Sequence, residues 1–184
     1  ARESVGDGEL SDRIHDTGER LGEIHEQIGI VQDLVDDDSR RRRVDLGALV
    51  EGAVADLRDE HPGATVTVDV PAELAVRGNA HLATAVREVV ENAVEHAGAE
   101  PRVSVTATVD GDEVALAVAD DGPGIPENER AVVLGERDIT QLAHGSGLGL
   151  WLVKWVLDAA EGSLDIADRS DGTGSVVTMR LPAA

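Results

Sequence analysis

Asp120-Asp121-Gly122-Pro123-Gly124-Ile125 stands between Glu88-Val89-Val90-Glu91-Asn92 upstream and Gly145-Ser146-Gly147-Leu148-Gly149-Leu150 downstream. Each block follows or opens a strongly apolar segment, the placement expected of a functional loop on a rigid scaffold. Glu88 and Asn92 are four apart, so on a helix they share one face and aim at one ligand. Asp120 follows the alternating run Glu113 to Ala119, which puts its carboxylate at a strand end, where it can read a base edge. The glycines of the last block open an apolar helical stretch and leave backbone N–H groups open to phosphate. The three blocks together read as a nucleotide site.

Working outward, apolar residues recur at Leu10, Ile14, Leu21, Ile24, Ile28, Val31 and Val35, a heptad-type seam on one long helix. Asp36 to Ser39 and Arg40 to Arg43 read as a charged, solvated linker. A second helix is expected over Leu46 to Arg58, ended by His61-Pro62-Gly63. Strands are expected over Ala64 to Val70 and Ala75 to Arg77. Asn79 is the expected N-cap of a helix over Ala80 to Ala97. Arg102 to Val109 and Glu113 to Ala119 form a hairpin around Asp110-Gly111-Asp112. A short helix near Glu127 to Leu134 precedes one over Leu148 to Ala160, with Gly162 as its stop. Ser163 to Ala167 and Ser175 to Leu181 close a last hairpin. The fold class is α+β, a two-layer α/β sandwich whose mixed sheet carries helices on one face, preceded by the long coiled-coil-like helix.

The chain has 184 residues and opens on Ala, as expected of a piece of a longer protein. Its core must be built from Val, Leu, Ile and Ala, because Trp151 and Trp155 are the only aromatics. No apolar run approaches the roughly 20 residues of a membrane span. The absence of cysteine excludes disulfides and thiolate metal sites and fits a cytoplasmic location, whatever tether the full-length protein has. The net charge of −21, spread along the chain, suits a high-salt cytoplasm and repels nucleic acid.

On these blocks the chain resembles the ATP-binding domain of the GHKL superfamily, and within it the sensor histidine kinases, especially those of salt-loving archaea. Glu88 to His96 matches the N box, Asp120 to Ile125 the first glycine box, and Gly145 to Leu150 the second. Gly172-Thr173-Gly174 is similar to a third. The resemblance covers residues 44 to 182 and implies the Bergerat-type ATP-binding fold. It divides the chain into 1–43, the second helix of a dimerisation hairpin plus linker, and 44–184, the catalytic domain.

The resemblance implies that Asn92 holds the Mg²⁺ of Mg–ATP, the sort of cation that takes few protein ligands beside phosphate and water. Asp120 would accept a hydrogen bond from the adenine amino group, with Gly122, Gly124 and Ile125 shaping the turn. Gly145, Ser146, Gly147, Leu148, Gly149 and Leu150 would cradle the phosphates, and residues 126 to 144 would form a lid. Glu88 stands where many histidine kinases carry Asn, and leaves ATP hydrolysis, histidine phosphorylation and serine phosphorylation open. Glu95 replaces a frequent lysine, so His96 is either the substitute donor near phosphate or a structural residue. The lid lacks the usual Phe, and Arg137 within it is a candidate for the γ-phosphate. Asp121 reads as solvated, His144 as a loop residue, and His15 and His25 as structural. The phosphoacceptor His is therefore expected upstream of the chain. The implied partners are a response-regulator receiver domain and a second copy joined through the N-terminal helix. The rivals are a serine kinase and binding switch of the anti-sigma-factor type, and a degenerate module that binds ATP without catalysis.

Overall fold

The computed structural model describes residues 29–30, 41–135, 148–170 and 172–184. The expected long helix therefore lies outside the described residues, apart from helical Gly29 and Ile30.

Helix α1 (Leu46–Glu60) starts where Asp45 caps it, the carboxylate accepting from Ala48 N–H at 3.1 Å. Leu46, Val50, Val54 and Leu57 recur at helical spacing and are buried. Helix α2 (Leu82–His96) buries Leu82, Val86, Val89, Val90 and Ala93. It begins two residues after the expected start, with His81 in the cap position and no side-chain cap bond. Asn79 has a different task. Its Oδ1 accepts from His81 N–H at 3.0 Å, while its Nδ2 reaches across to Val156 O at 2.8 Å.

Five strands form the main sheet in the order β2-β4-β5-β7-β6: β2 (Thr65–Asp69), β4 (Arg102–Asp110), β5 (Glu113–Ala119), β6 (Ser163–Asp168) and β7 (Ser175–Pro182). Only β2 and β4 run parallel, so the sheet is mixed, as expected. Val103, Val105, Val114, Leu116, Val118, Leu164, Ile166, Val177, Met179 and Leu181 alternate onto one buried face. That face packs against α2 and α4 (Leu148–Ala159), whose Val153, Val156 and Leu157 are fully buried. Each such aliphatic side chain contributes about 1.5–3 kcal/mol on burial, which stands in for the missing aromatics. A short helix α3 (Glu127–Val133) follows the Asp120 block.

One local expectation is corrected. Arg42 and Arg43 are exposed but do not belong to a linker: they form β1 (Arg42–Asp45), paired antiparallel with β3 (Ala75–Gly78). Backbone pairing makes this strand, so the charge run conceals it. Helix α4 stops before Gly162, as expected: Gly162 N–H bonds back to Leu157 O at 2.8 Å, with Glu161 the left-handed residue of the turn at φ 58°. Gly162 also lies so close to Arg180 O that a Cβ there would collide.

Candidate functional site

The Glu88 and Asn92 side chains are half-buried on one face of α2, beside the stripe that packs on the sheet. They face the first turn of α4. A Cβ placed on Gly149 would strike the Glu88 carboxylate and lie 3.2 Å from Asn92 Nδ2. Glu91, one residue before Asn92, turns away to Arg87, which donates from Nη2 to Glu91 Oε1 at 3.5 Å. That hydrogen bond, then the Glu91 charge, raises the Arg87 pKa above its ordinary value.

Asp120 ends β5 and is 5% exposed. Its Oδ1 accepts from Gly122 N–H at 2.8 Å, and its Oδ2 accepts from Ser175 Oγ at 2.5 Å and Ser175 N–H at 3.3 Å. A carboxylate has about four lone-pair sites, so these three bonds leave room for one further donor. Two glycines make the close packing possible. A Cβ on Gly122 would sit 2.5 Å from His96 O and 3.0 Å from Ala97 Cα, and one on Gly174 would run into Asp120 O. Gly124, at φ 83°, takes a left-handed conformation that suits glycine. The end of α2, the Asp120 loop and the start of β7 thus meet at one point.

Of the other expected residues, Ile125 is half-buried and packs on the core, Leu150 is buried, and the His96 side chain is exposed. Asp121 is not merely solvated, since its Oδ1 accepts from Arg102 N–H at 3.0 Å. Trp151 donates from Nε1 to Val132 O at 3.4 Å and its ring centroid lies 4.3 Å from that of Trp155, while Lys154 pairs with Asp158. Gly145, Ser146, Gly147, Arg137, His144, His15 and His25 lie outside the described residues. Leu148 opens α4. Ser175 was missed by sequence reasoning. Its signal was a lone hydroxyl on the register of Val177, Met179 and Leu181, the buried side of β7.

The Glu88 carboxylate and the Asn92 amide, with Nδ2 its nearest atom, converge on a recess at Gly149 too narrow for a methyl. A carboxylate and an amide, whose carbonyl oxygen is its ligating atom, are a donor set that fits a hydrated Mg²⁺ with its phosphates beside a helix start.

A family model described as histidine kinase-, DNA gyrase B-, and HSP90-like ATPase matches residues 78–184. The chain belongs to this ATPase family. All three matched blocks and the third glycine block fall inside that span. Sensor-like histidine kinase SenX3 of Mycobacterium tuberculosis is 32% identical over 148 residues, which cover 76% of this chain and 36% of that protein. Nitrogen regulation protein NtrY of Azorhizobium caulinodans is 26% identical over 99% of this chain and 25% of its own length. The solved ATP-binding domain of PrrB from Mycobacterium tuberculosis superposes with a TM-score of 0.64 at 31% identity, covering 80% of this ATPase-family chain and 99% of that domain. The chain spans about a quarter to a third of the length of these curated relatives. They give no support to the narrower likeness to salt-loving archaea. Among the described residues, no helix is long and apolar enough to cross a membrane.

Proposed function

We propose that this chain is the ATP-binding catalytic portion of a sensor histidine kinase, passing the γ-phosphate of ATP to a His outside the chain and from there to an aspartate of a response-regulator receiver domain. The observation that carries the proposal is the convergence of Glu88 and Asn92 on Gly149, with the Asp120 carboxylate, held by Gly122 and Ser175, beside the C-terminal end of the same helix. In this reading the catalytic domain begins with β1 at Arg42, two residues before the expected boundary, and the residues before it are the second hairpin helix and linker, through which two copies pair. The chain works on the cytoplasmic side, where ATP is available.

Asp120 accepts from the adenine amino group with its remaining lone pair, a demand that guanine, with a carbonyl at that position, does not meet. The N-terminus of α4, with its Gly145 to Leu150 approach, receives phosphate on backbone N–H groups and favourable partial charge. This matters because a chain at −21 has few cations to offer. Asn92 supplies one oxygen to Mg²⁺, which when bound neutralises phosphate charge. Glu88 orders water beside it, and His96 stands at the exposed end of the same row. Phosphoryl transfer needs chiefly positioning and charge stabilisation, which such a site provides.

The Glu88–Asn92 pair also favours a second reading, a serine kinase of the anti-sigma-factor type. Both are tested by restoring the upstream segment and supplying ATP labelled at the γ-phosphate. Acid-labile, alkali-stable label that moves on to a receiver domain supports the histidine kinase. Acid-stable label on a protein substrate supports the serine kinase. ATP binding without any labelling contradicts both and leaves the non-catalytic module.

A further inference from the structure

Two adjacent residues at the end of β6 hold both ends of the Asp120–Ile125 loop. Arg169 donates from Nη1 to Asp120 O at 3.2 Å, and its own N–H donates to Gly174 O at 3.1 Å. Asp168 acts through α3: its Oδ1 receives Arg130 Nη2 at 2.5 Å, and the same nitrogen donates to Ile125 O at 3.2 Å. Gly124 lies between, where a Cβ would come 3.6 Å from Gly174 O and 3.9 Å from Asp168 Oδ1. The loop is therefore pinned at its first and last carbonyls by two guanidinium groups anchored on one hairpin.

The burial of the partners is unequal. Asp168 is 73% exposed, so the ion pair alone adds little. The Arg130 side chain is 21% exposed, and a charged donor on a half-buried carbonyl is a strong bond. Asp168 serves to aim Arg130, and Arg130 holds Ile125. Nothing in the nucleotide reading above uses these residues.

We propose that Arg130, aimed by Asp168, and Arg169 are positioning residues that hold the Asp120 loop, and with it the adenine-reading carboxylate, in its binding geometry. The inference rests on the nucleotide reading. Because the clasp acts at the base end of the site, its loss weakens ATP and ADP by the same factor and erodes the preference for ATP over GTP. A defect at the phosphate end would weaken ATP more than ADP.

The test is calorimetric titration of the whole chain and its variants with Mg–ATP, ADP and GTP, beside thermal melts. Arg130→Met is expected to weaken ATP and ADP alike by about tenfold, the worth of one charge-assisted hydrogen bond. Asp168→Asn is expected to cost about threefold, and the double variant no more than Arg130→Met alone, since the two act in series. Should Arg130→Met fail to fold, Arg130→Lys keeps the charge while losing the planar fork, and is expected to show the same equal loss for ATP and ADP. Failure of the parent chain to bind Mg–ATP overturns the nucleotide reading and the clasp together. A parent that binds, with Arg130 and Asp168 variants matching it in affinity and ATP-over-GTP preference, overturns the clasp alone.

Discussion

Ser175 Oγ lies 2.5 Å from Asp120 Oδ2, so one hydroxyl of β7 fixes the buried carboxylate that ends β5. Ser175→Ala leaves Asp120 with its two backbone donors and adds a second unmet lone pair to the one kept for the ligand. The expected cost is about 1–3 kcal/mol of stability and a comparable loss in ATP affinity. Thermal melts and titration with Mg–ATP check it, with Ser175→Thr expected to retain much of the parent's binding.

Gly174 and Gly172 offer an internal comparison two residues apart. Gly174 sits at φ 117° against Asp120 O, so Gly174→Ala is strained twice and should cost about 2–4 kcal/mol. Gly172 is exposed, with nothing within 4 Å of an added Cβ, and Gly172→Ala should stay within about 0.5 kcal/mol. Denaturant unfolding of the two variants measures the difference.

Asn79 links α2 to α4 through Val156 O, and the mutual position of those helices sets the Glu88–Gly149 contact. Asn79→Ala should therefore lower stability by about 1–3 kcal/mol and weaken Mg–ATP as well. A stability loss with unchanged affinity would break the proposed link between the two.

Much of this was legible in the sequence because the signals were local. Asp110-Gly111-Asp112 between alternating runs fixed the β4–β5 hairpin, and the 3.6-residue stripe through Val86, Val89, Val90 and Ala93 fixed α2. What stayed hidden depends on partners distant in sequence. Strand β1 exists by pairing with β3, and Arg42-Arg43 carries no apolar pattern. Asn79 looked like a cap because its second bond, to Val156, lies 77 residues away. Asp121 looked solvated because its partner is a backbone N–H on β4. In the site, residue types and order were readable. The bonds that hold Asp120 were not, since Ser175 and Arg169 lie far along the chain.

Gly149→Ala places a methyl where Glu88 and Asn92 face α4. Glu88 is flexible and Ala is the better helix former by about 1 kcal/mol, so stability should hold or rise slightly. Mg–ATP affinity should fall nonetheless, because the recess is filled. Asn92→Ala should remove the difference between titrations with Mg²⁺ and with EDTA. Full Mg²⁺ dependence in that variant would assign the cation elsewhere.

The central claim is that Asp120 and the Glu88–Asn92–Gly149 recess form the two ends of one adenine nucleotide site. Calorimetric titration of the parent chain and of Asp120→Asn with Mg–ATP addresses it directly, because the amide keeps the shape but loses one acceptor for the adenine amino group. The account predicts saturable binding by the parent, and at least about a tenfold loss in Asp120→Asn without loss of fold. Equal binding by the two, or none by a folded parent, would contradict it.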